Sequence, residues 1–450
     1  MHARPSHRSG RLSDVLGMME RANGAATAHQ ISGRVNRVTP AFVSVEGLSN
    51  FCSINDIVTI RSASGQSIAQ VASIDQSAVN VNLISSDTSI ELGDKVTLTG
   101  GSLTIAPDIS WKGRVLNALG QAIDDAGPIV PGPKNVLIDS RSPPALRRQR
   151  LGRHMITGVK IIDLFTPICA GQRIGIFAGS GVGKSTLLAM LSRSSSFDII
   201  VLALVGERSR EVRDFLDDTL SLKQSSVIAV VATADETPTL RKLAPSTAMA
   251  IAEYFRDRGN QVLLIVDSIT RFAHASRELA LAAQEPPVAR GFPPSVFSAL
   301  PRLLERAGTG ETGDGSITAL ISVLIDGDDH NDPIADSVRG ILDGHIVLDR
   351  AIAAQGRFPA VDPLASISRL ATKLRSEEQA QLVAQLIHLI SIYEESKDLR
   401  TLGGYKSGSN PTLDRALLLV PRIYDAMKQT PSDPIFTDVF ETLLATLSGA

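Results

Sequence analysis

The residues best equipped for chemistry fall in one run, Ala178-Gly179-Ser180-Gly181-Val182-Gly183-Lys184-Ser185-Thr186. Its three glycines let backbone N–H groups close around phosphate oxygens without side-chain clash. Lys184 would reach the β and γ phosphates, and the Ser185 hydroxyl would hold Mg²⁺. An apolar stretch, Arg173-Ile174-Gly175-Ile176-Phe177, leads into the run, and Leu187-Leu188-Ala189-Met190-Leu191 leads out of it. Strand, glycine turn and helix thus follow in the order a phosphate-binding P-loop requires, with the positive helix end facing the anion. Ala178 stands where the strict pattern has glycine. The bland alternative is a strand-to-helix turn with a chance Lys-Ser, and the agreement of hexad and context favours nucleotide binding.

Two acidic residues stand where such a site needs them. Asp267 directly follows the apolar run Val262-Leu263-Leu264-Ile265-Val266. A strand ending in aspartate is the Walker B arrangement, which orients Mg²⁺ through its water shell. Glu207 follows the run Ile199–Val205, within Gly206-Glu207-Arg208-Ser209-Arg210-Glu211. Hydrolysis needs a water held in line with the γ-phosphate, and a carboxylate does this. With Asp267 better placed for metal, Glu207 is left for water. Strand-end aspartates also cap helices, and Glu-Arg-Ser-Arg-Glu also reads as a charged surface, which is the reading given to Glu211.

A parallel sheet covered by helices would position this set, because ligands bind at the carboxyl ends of its strands. Apolar runs at 173–178, 199–205, 227–231, 262–266 and 317–325 alternate with helical patterns, which argues an α/β domain over residues 100–370. Residues 29–99 instead show a period of two, with Val35, Val38, Phe42, Val43, Val45, Ile57, Val58, Ile60, Val71, Ile74, Val79, Val81, Leu83, Val96 and Leu98 in short runs between turns. They predict a small β-barrel or sandwich with a structural or oligomerising role. Residues 113–117 and the Gly/Pro-rich 127–133 read as a connector, and 143–150 as a basic, exposed loop. In 371–450, Leu382, Leu386, Leu389 and Ile390, then Leu413, Leu417, Val420 and Tyr424, repeat at helical spacing and predict a C-terminal helical domain. Residues 1–28 set Leu12, Val15, Leu16 and Met19 among four arginines, either as an amphipathic docking segment or as a disordered leader.

Composition narrows the function classes. Over 450 residues, 45 Lys and Arg meet 47 Asp and Glu, a net charge of −2, so a global basic footprint for nucleic acid is missing. Cys52 and Cys169 form no disulfide framework, and the histidines show no metal-ligand spacing. No apolar run approaches the roughly 20 residues that span a bilayer, and no apolar signal core follows the basic N-terminus, so a soluble or peripheral protein is expected.

Taken together, the 178–186 loop, Gly206-Glu207-Arg208, Asp267-Ser268-Ile269-Thr270-Arg271-Phe272 and Phe358-Pro359-Ala360-Val361-Asp362-Pro363 resemble the catalytic subunit of rotary ATP synthases. The match covers nearly the whole chain. Within that superfamily, Gly291-Phe292-Pro293-Pro294-Ser295 and the 326–336 stretch resemble the ATPases of flagellar and virulence type III protein export, and Gly-Ser-Gly in the loop leans to the flagellar branch. The resemblance implies an N-terminal β-barrel, a RecA-like P-loop domain and a C-terminal helical domain. It implies ATP and Mg²⁺ as ligands, Glu207 as catalytic glutamate, Arg208 and Arg271 around the γ-phosphate, and Arg369 as an arginine finger entering a neighbour's site. Phe358 matches the aromatic that stacks on adenine, and Tyr405 would close the other side of the base.

Implied partners are a homohexamer, a stator-like tether or regulator at the N-terminus, a central stalk protein, an export-gate membrane protein and chaperone–cargo complexes, with no nucleic acid. The implied location is cytoplasmic, peripheral to the inner membrane. The injectisome branch is the runner-up. A hexameric RNA helicase or terminator shares the sheet and P-loop, but the N-terminal module lacks the basic, aromatic surface expected for RNA. A non-hydrolysing nucleotide-binding subunit is opposed by the joint presence of Lys184, Ser185, Glu207 and Asp267.

Overall fold

The computed structural model describes residues 30–39, 42–84, 89–223, 226–311, 313–325, 332–434, 436 and 438–448. The expected docking segment 1–28 and most of the discriminating 326–336 stretch lie outside these residues. The chain divides into two compact units, Met1–Gly101 and Ser102–Ala450.

In the first unit, β1 (Ser32–Val38), β2 (Val43–Glu46), β3 (Ile57–Ser62), β4 (Gly65–Ile74), β5 (Val79–Leu83) and β6 (Lys95–Leu98) close an antiparallel barrel in the order β1-β2-β5-β4-β3-β6. The period of two sends alternate valines and isoleucines inward, where Val43, Val45, Val58, Ile60, Val71, Val79, Val81 and Val96 are wholly buried. Pairing of β1 with β6 removes the free edges.

The second unit is built on a sheet of β7 (Val115–Asn117), β8 (Arg173–Ala178), β9 (Ile199–Val205), β10 (Val227–Ala232), β11 (Gln261–Asp267), β12 (Ser316–Leu324), β13 (Gly344–Leu348) and β14 (Ile367–Ser368). Their spatial order is β14-β13-β8-β12-β11-β9-β10-β7, with the short strand Gly308–Thr309 added beside β12. From β13 to β7 every pairing on this path is parallel. Every residue of β9 is buried, as a strand covered on both faces must be. Its odd-numbered residues face one core with helix α3 (Pro238–Arg256) and helix α4 (Ile269–Ala282). Its even-numbered residues face a second core with α1 (Lys184–Ser192) and α2 (Ser209–Lys223).

The C-terminal segment is helical, with α5 (Glu377–Glu395), α6 (Pro411–Met427) and α7 (Val439–Ser448). Ser376 and Gln379 form a capping box at the start of α5, and Asn410 caps α6 ahead of Pro411. Val383, Leu386, Ile390, Ala416 and Val420 join the same core as Leu187 and Leu188 of α1. These helices therefore pack into the nucleotide-loop face of the sheet and belong to one compact unit with it.

Two sequence expectations change. Residues 115–117, read as connector, are the edge strand β7, paired with β10; three residues are too few to show a period. Arg148, read as part of an exposed basic loop, is half-buried and donates to the carbonyls of Ala307, at 2.8 Å, and Glu305. Those partners lie far along the chain and leave no local signal.

Candidate active site

The functional side chains converge because three strands end at the same edge of the sheet, within two residues of one another. In β9 and β11, Leu204 is paired with Asp267, so Glu207 projects from the loop just past the same sheet edge. The P-loop leaves β8 after Ala178, at the matching end. Gly181 and Gly183 take φ of 78° and 92°, the left-handed region that glycine adopts without strain. Gly183 precedes α1, whose first turn has no side-chain cap, so its N–H groups are free for an anion.

Lys184 sits at the centre. Its Nζ contacts Asp267 Oδ1 and lies 3.9 Å from Glu207 Oε1. Asp267 is 4 % exposed and rests on this ion pair. Glu207 Oε1 is buried with no hydrogen-bond partner. Burial pushes the Glu207 carboxyl above its ordinary range, against the pull of Lys184 and with a further push from Asp267. Ser185, Glu207, Glu211 and Asp267 line a cavity of about 30 Å³, enough for a water. Its polar lining is all oxygen, the donor type Mg²⁺ takes, beside the apolar Leu204, Val212 and Phe215, and among the described residues no three acidic, His or Cys side chains gather as a metal cluster.

Arg271 enters from the first turn of α4, which Ser268 caps. Its side chain lies across Gly206, where an added Cβ would come within 3.1 Å of the Arg271 Cβ, and its Nε is buried without a partner. Gly206 also has φ of 65°, so glycine is required there twice over. Phe358 lies over the loop, 3.7 Å from where a Gly183 Cβ would stand, and is 46 % exposed.

Lys184, Glu207, Asp267, Arg271 and Phe358 thus surround the 178–186 loop, where Ser180, Gly181, Ser185 and Thr186 are exposed. Three candidates lie outside that cluster. Arg208 is exposed and pairs with Glu211 at 3.3 Å. The Tyr405 hydroxyl is 2.9 Å from Asp414 Oδ1 and 3.1 Å from the Asn410 carbonyl, at the start of α6. Arg369 follows β14, and its N–H donates to the Asp343 carbonyl, while the Asp343 N–H donates to Arg173. It is therefore level with the first residue of β8, five residues before Ala178, or roughly 16 Å at about 3.3 Å per residue.

Sequence reasoning overlooked two contributors. Glu211 lines the cavity rather than only the surface; its spacing of four from Glu207 was the available signal. The Thr270 hydroxyl accepts the Leu324 N–H at 2.9 Å and ties α4 to the end of β12. Nothing in the sequence marks that bond.

This geometry has close counterparts. Residues 158–368 match the ATP synthase alpha/beta family nucleotide-binding domain, and residues 375–445 match the T3SS EscN ATPase C-terminal domain. The flagellum-specific ATP synthase of Agrobacterium fabrum is 51 % identical over 417 residues, covering 93 % of this chain and 88 % of the relative. The assembled ATPase EscN of the enteropathogenic E. coli type III secretion system superposes with a TM-score of 0.86 at 38 % identity, over 92 % of this chain and 99 % of that one. EscN in complex with its central stalk EscO gives 0.83 at 37 %, over the same shares. With likeness that runs from barrel to C-terminal helices, this chain belongs to the ATP synthase alpha/beta family, among the flagellar and type III secretion ATPases.

Proposed function

We propose that this chain hydrolyses ATP to ADP and phosphate at the Lys184–Glu207–Asp267 cluster, and that the hydrolysis energises type III export of flagellar proteins. The observation that carries the reading is Lys184 held between Asp267 and a buried, hydrogen-bond-free Glu207 oxygen beside an uncapped helix start. The loop N–H groups and Lys184 bind the phosphate chain and neutralise its charge. Ser185 and Asp267 are the residues that would hold Mg²⁺, which would supply charge neutralisation for the phosphate chain. Glu207 accepts a hydrogen bond from water and aims it at the γ-phosphorus, while Arg271 faces the γ-phosphate; Arg208 would have to leave Glu211 and turn inward to join it. Phe358 stacks on the base; Tyr405 is the candidate for its other side.

Arg369 is too far from its own P-loop to act there. As an arginine finger it serves the adjoining chain, which makes a homohexameric ring, with sites at its interfaces, the active form. The assembled EscN and its complex with the central stalk EscO support an assembly and a central stalk partner for this chain as well. We place residues 1–28 on a tether protein, the 371–450 helices on chaperone–cargo complexes, and the ring beneath the export gate, in the cytoplasm at the inner membrane. No helix among the described residues is long and apolar enough to cross a membrane. Export of flagellar rather than virulence substrates is favoured by the higher identity to flagellar relatives, 51 % against 40 % for the type 3 secretion system ATPase of Xanthomonas euvesicatoria.

The test is phosphate release and nucleotide binding by two variants. Lys184→Ala is expected to lose binding, and Glu207→Gln to bind ATP and lose most turnover. Wild-type hydrolysis by Glu207→Gln would remove the water-orienting assignment.

A further inference from the structure

We infer that Arg357, Tyr424 and Gln429 are positioning residues that set the Phe358 ring against the P-loop, so that the C-terminal helices govern how tightly the base of ATP is held. The inference rests on the reading of Phe358 as the stacking residue.

Phe358 is anchored from the C-terminal side. The Gln429 N–H donates to the Phe358 carbonyl at 2.9 Å. Gln429 is itself fixed, being 5 % exposed, with Nε2 donating to the Gly158 carbonyl at 2.8 Å and Oε1 accepting the Lys160 N–H at 3.0 Å. A buried amide with donor and acceptor both matched has little freedom to shift. The neighbouring Arg357 is held by a second group. Its guanidinium sits 3.5 Å from the Tyr424 ring centroid and 3.8 Å from Glu394 Oε1, and the Tyr424 hydroxyl donates to that same carboxylate at 2.8 Å.

Glu394 comes from α5, Tyr424 from α6 and Gln429 from the residues just beyond α6. Residues 357 and 358 are therefore clamped by both helices, while the sheet takes over only at Val361, which bridges to Leu348. Arg357 and Gln429 reach the ring over Gly183 through residues 357 and 358, with no contact to Lys184, Glu207 or Asp267. This linkage acts on the base, separately from the core that α5 and α6 share with α1.

The full-length chain is titrated calorimetrically with MgADP and with magnesium tripolyphosphate, which has no base, and ATP turnover is measured alongside. Stacking of a base on an aromatic ring sets the scale, about fivefold or more in affinity. Arg357→Ala and Gln429→Ala are expected to raise the MgADP Kd and the ATP KM by about that factor. Tripolyphosphate affinity stays at the wild-type value and kcat changes little. Tyr424→Leu follows Arg357→Ala, whereas Tyr424→Phe, which keeps the ring under the guanidinium, retains wild-type KM. In a Phe358→Ala background the same substitutions add nothing further. Equal weakening of tripolyphosphate, or an additive loss in the Phe358→Ala background, overturns the linkage. A Phe358→Ala chain with unchanged MgADP affinity overturns the stacking reading beneath it. Should Gln429→Ala fail to fold, the Tyr424→Leu and Tyr424→Phe pair decides the matter by the same readouts.

Discussion

Arg369→Ala separates a site contained in one chain from a site shared by two. The Arg369 backbone is level with Arg173, roughly 16 Å from the strand end that carries the P-loop. An extended arginine reaches only about 7 Å from its Cα. Within one chain the substitution should therefore leave the Lys184–Asp267 pair and nucleotide affinity unchanged. In a ring, the site of the adjoining chain loses its finger, and kcat should fall by ~10³- to 10⁵-fold.

Mixing gives the sharper reading. A site works when its own chain keeps Glu207 and its neighbour keeps Arg369. In rings assembled from equal amounts of Arg369→Ala and Glu207→Gln chains, each condition holds for about half the positions, so roughly one quarter of the sites regain both groups. Phosphate release, followed as the mixing ratio is varied at fixed total protein, should peak near equal amounts and vanish at either end. A flat, inactive profile at every ratio, with ring assembly verified by mass, would refute the shared-site argument. Full activity of Arg369→Ala alone would refute it just as directly.

Other consequences follow from individual groups. Burial raises the Glu207 carboxyl, and the proposed water-orienting role needs the carboxylate form. The acid limb of the kcat–pH profile should therefore lie above an ordinary glutamate, and a limb at or below about 4.3 would remove that role. Asp163, 5 % exposed and held by Thr157 and Gly158, is pushed up to about 6 by burial from the ordinary carboxylate value of 3.8. Because the folded state binds its proton more tightly, its stabilising effect is complete below the lower value and is lost as pH rises through the higher one. The loss is on the order of 3 kcal/mol, and Asp163→Asn should flatten the stability–pH curve in that window by urea unfolding. Arg306, 1 % exposed, forms two hydrogen bonds to Glu253 at 3.0 and 2.7 Å and one to the Ile138 carbonyl at 2.8 Å. Arg306→Met should destabilise by about 3–5 kcal/mol, by stranding a buried carboxylate, and replacing both partners with apolar residues should cost much less.

The grouping of the candidate site was legible because its signals are local. The P-loop needs only strand, glycines, Lys184 and Ser185 in sequence, and Asp267 and Glu207 announce themselves at the ends of apolar runs. Barrel and helical segments were readable from periods of two and about 3.6, since burial on one face repeats at the element's own spacing. Short or distant features were not. The strand Val115–Asn117 exists through its pairing with β10. Arg148 is drawn in by carbonyls of residues 305 and 307, and the helices after 370 share a core with α1.

The sequence by itself determined the candidate groups, a phosphate loop with carboxylates Asp267 and Glu207 beside it, because each group is tied to the end of its own strand. Tertiary structure alone decided which groups share a space. It laid Arg271 across Gly206, clamped Phe358 through Gln429 and Tyr424, and set Arg369 at the far end of the sheet. Those distances depend on strand register and helix packing between residues far apart in the chain, which no local pattern encodes.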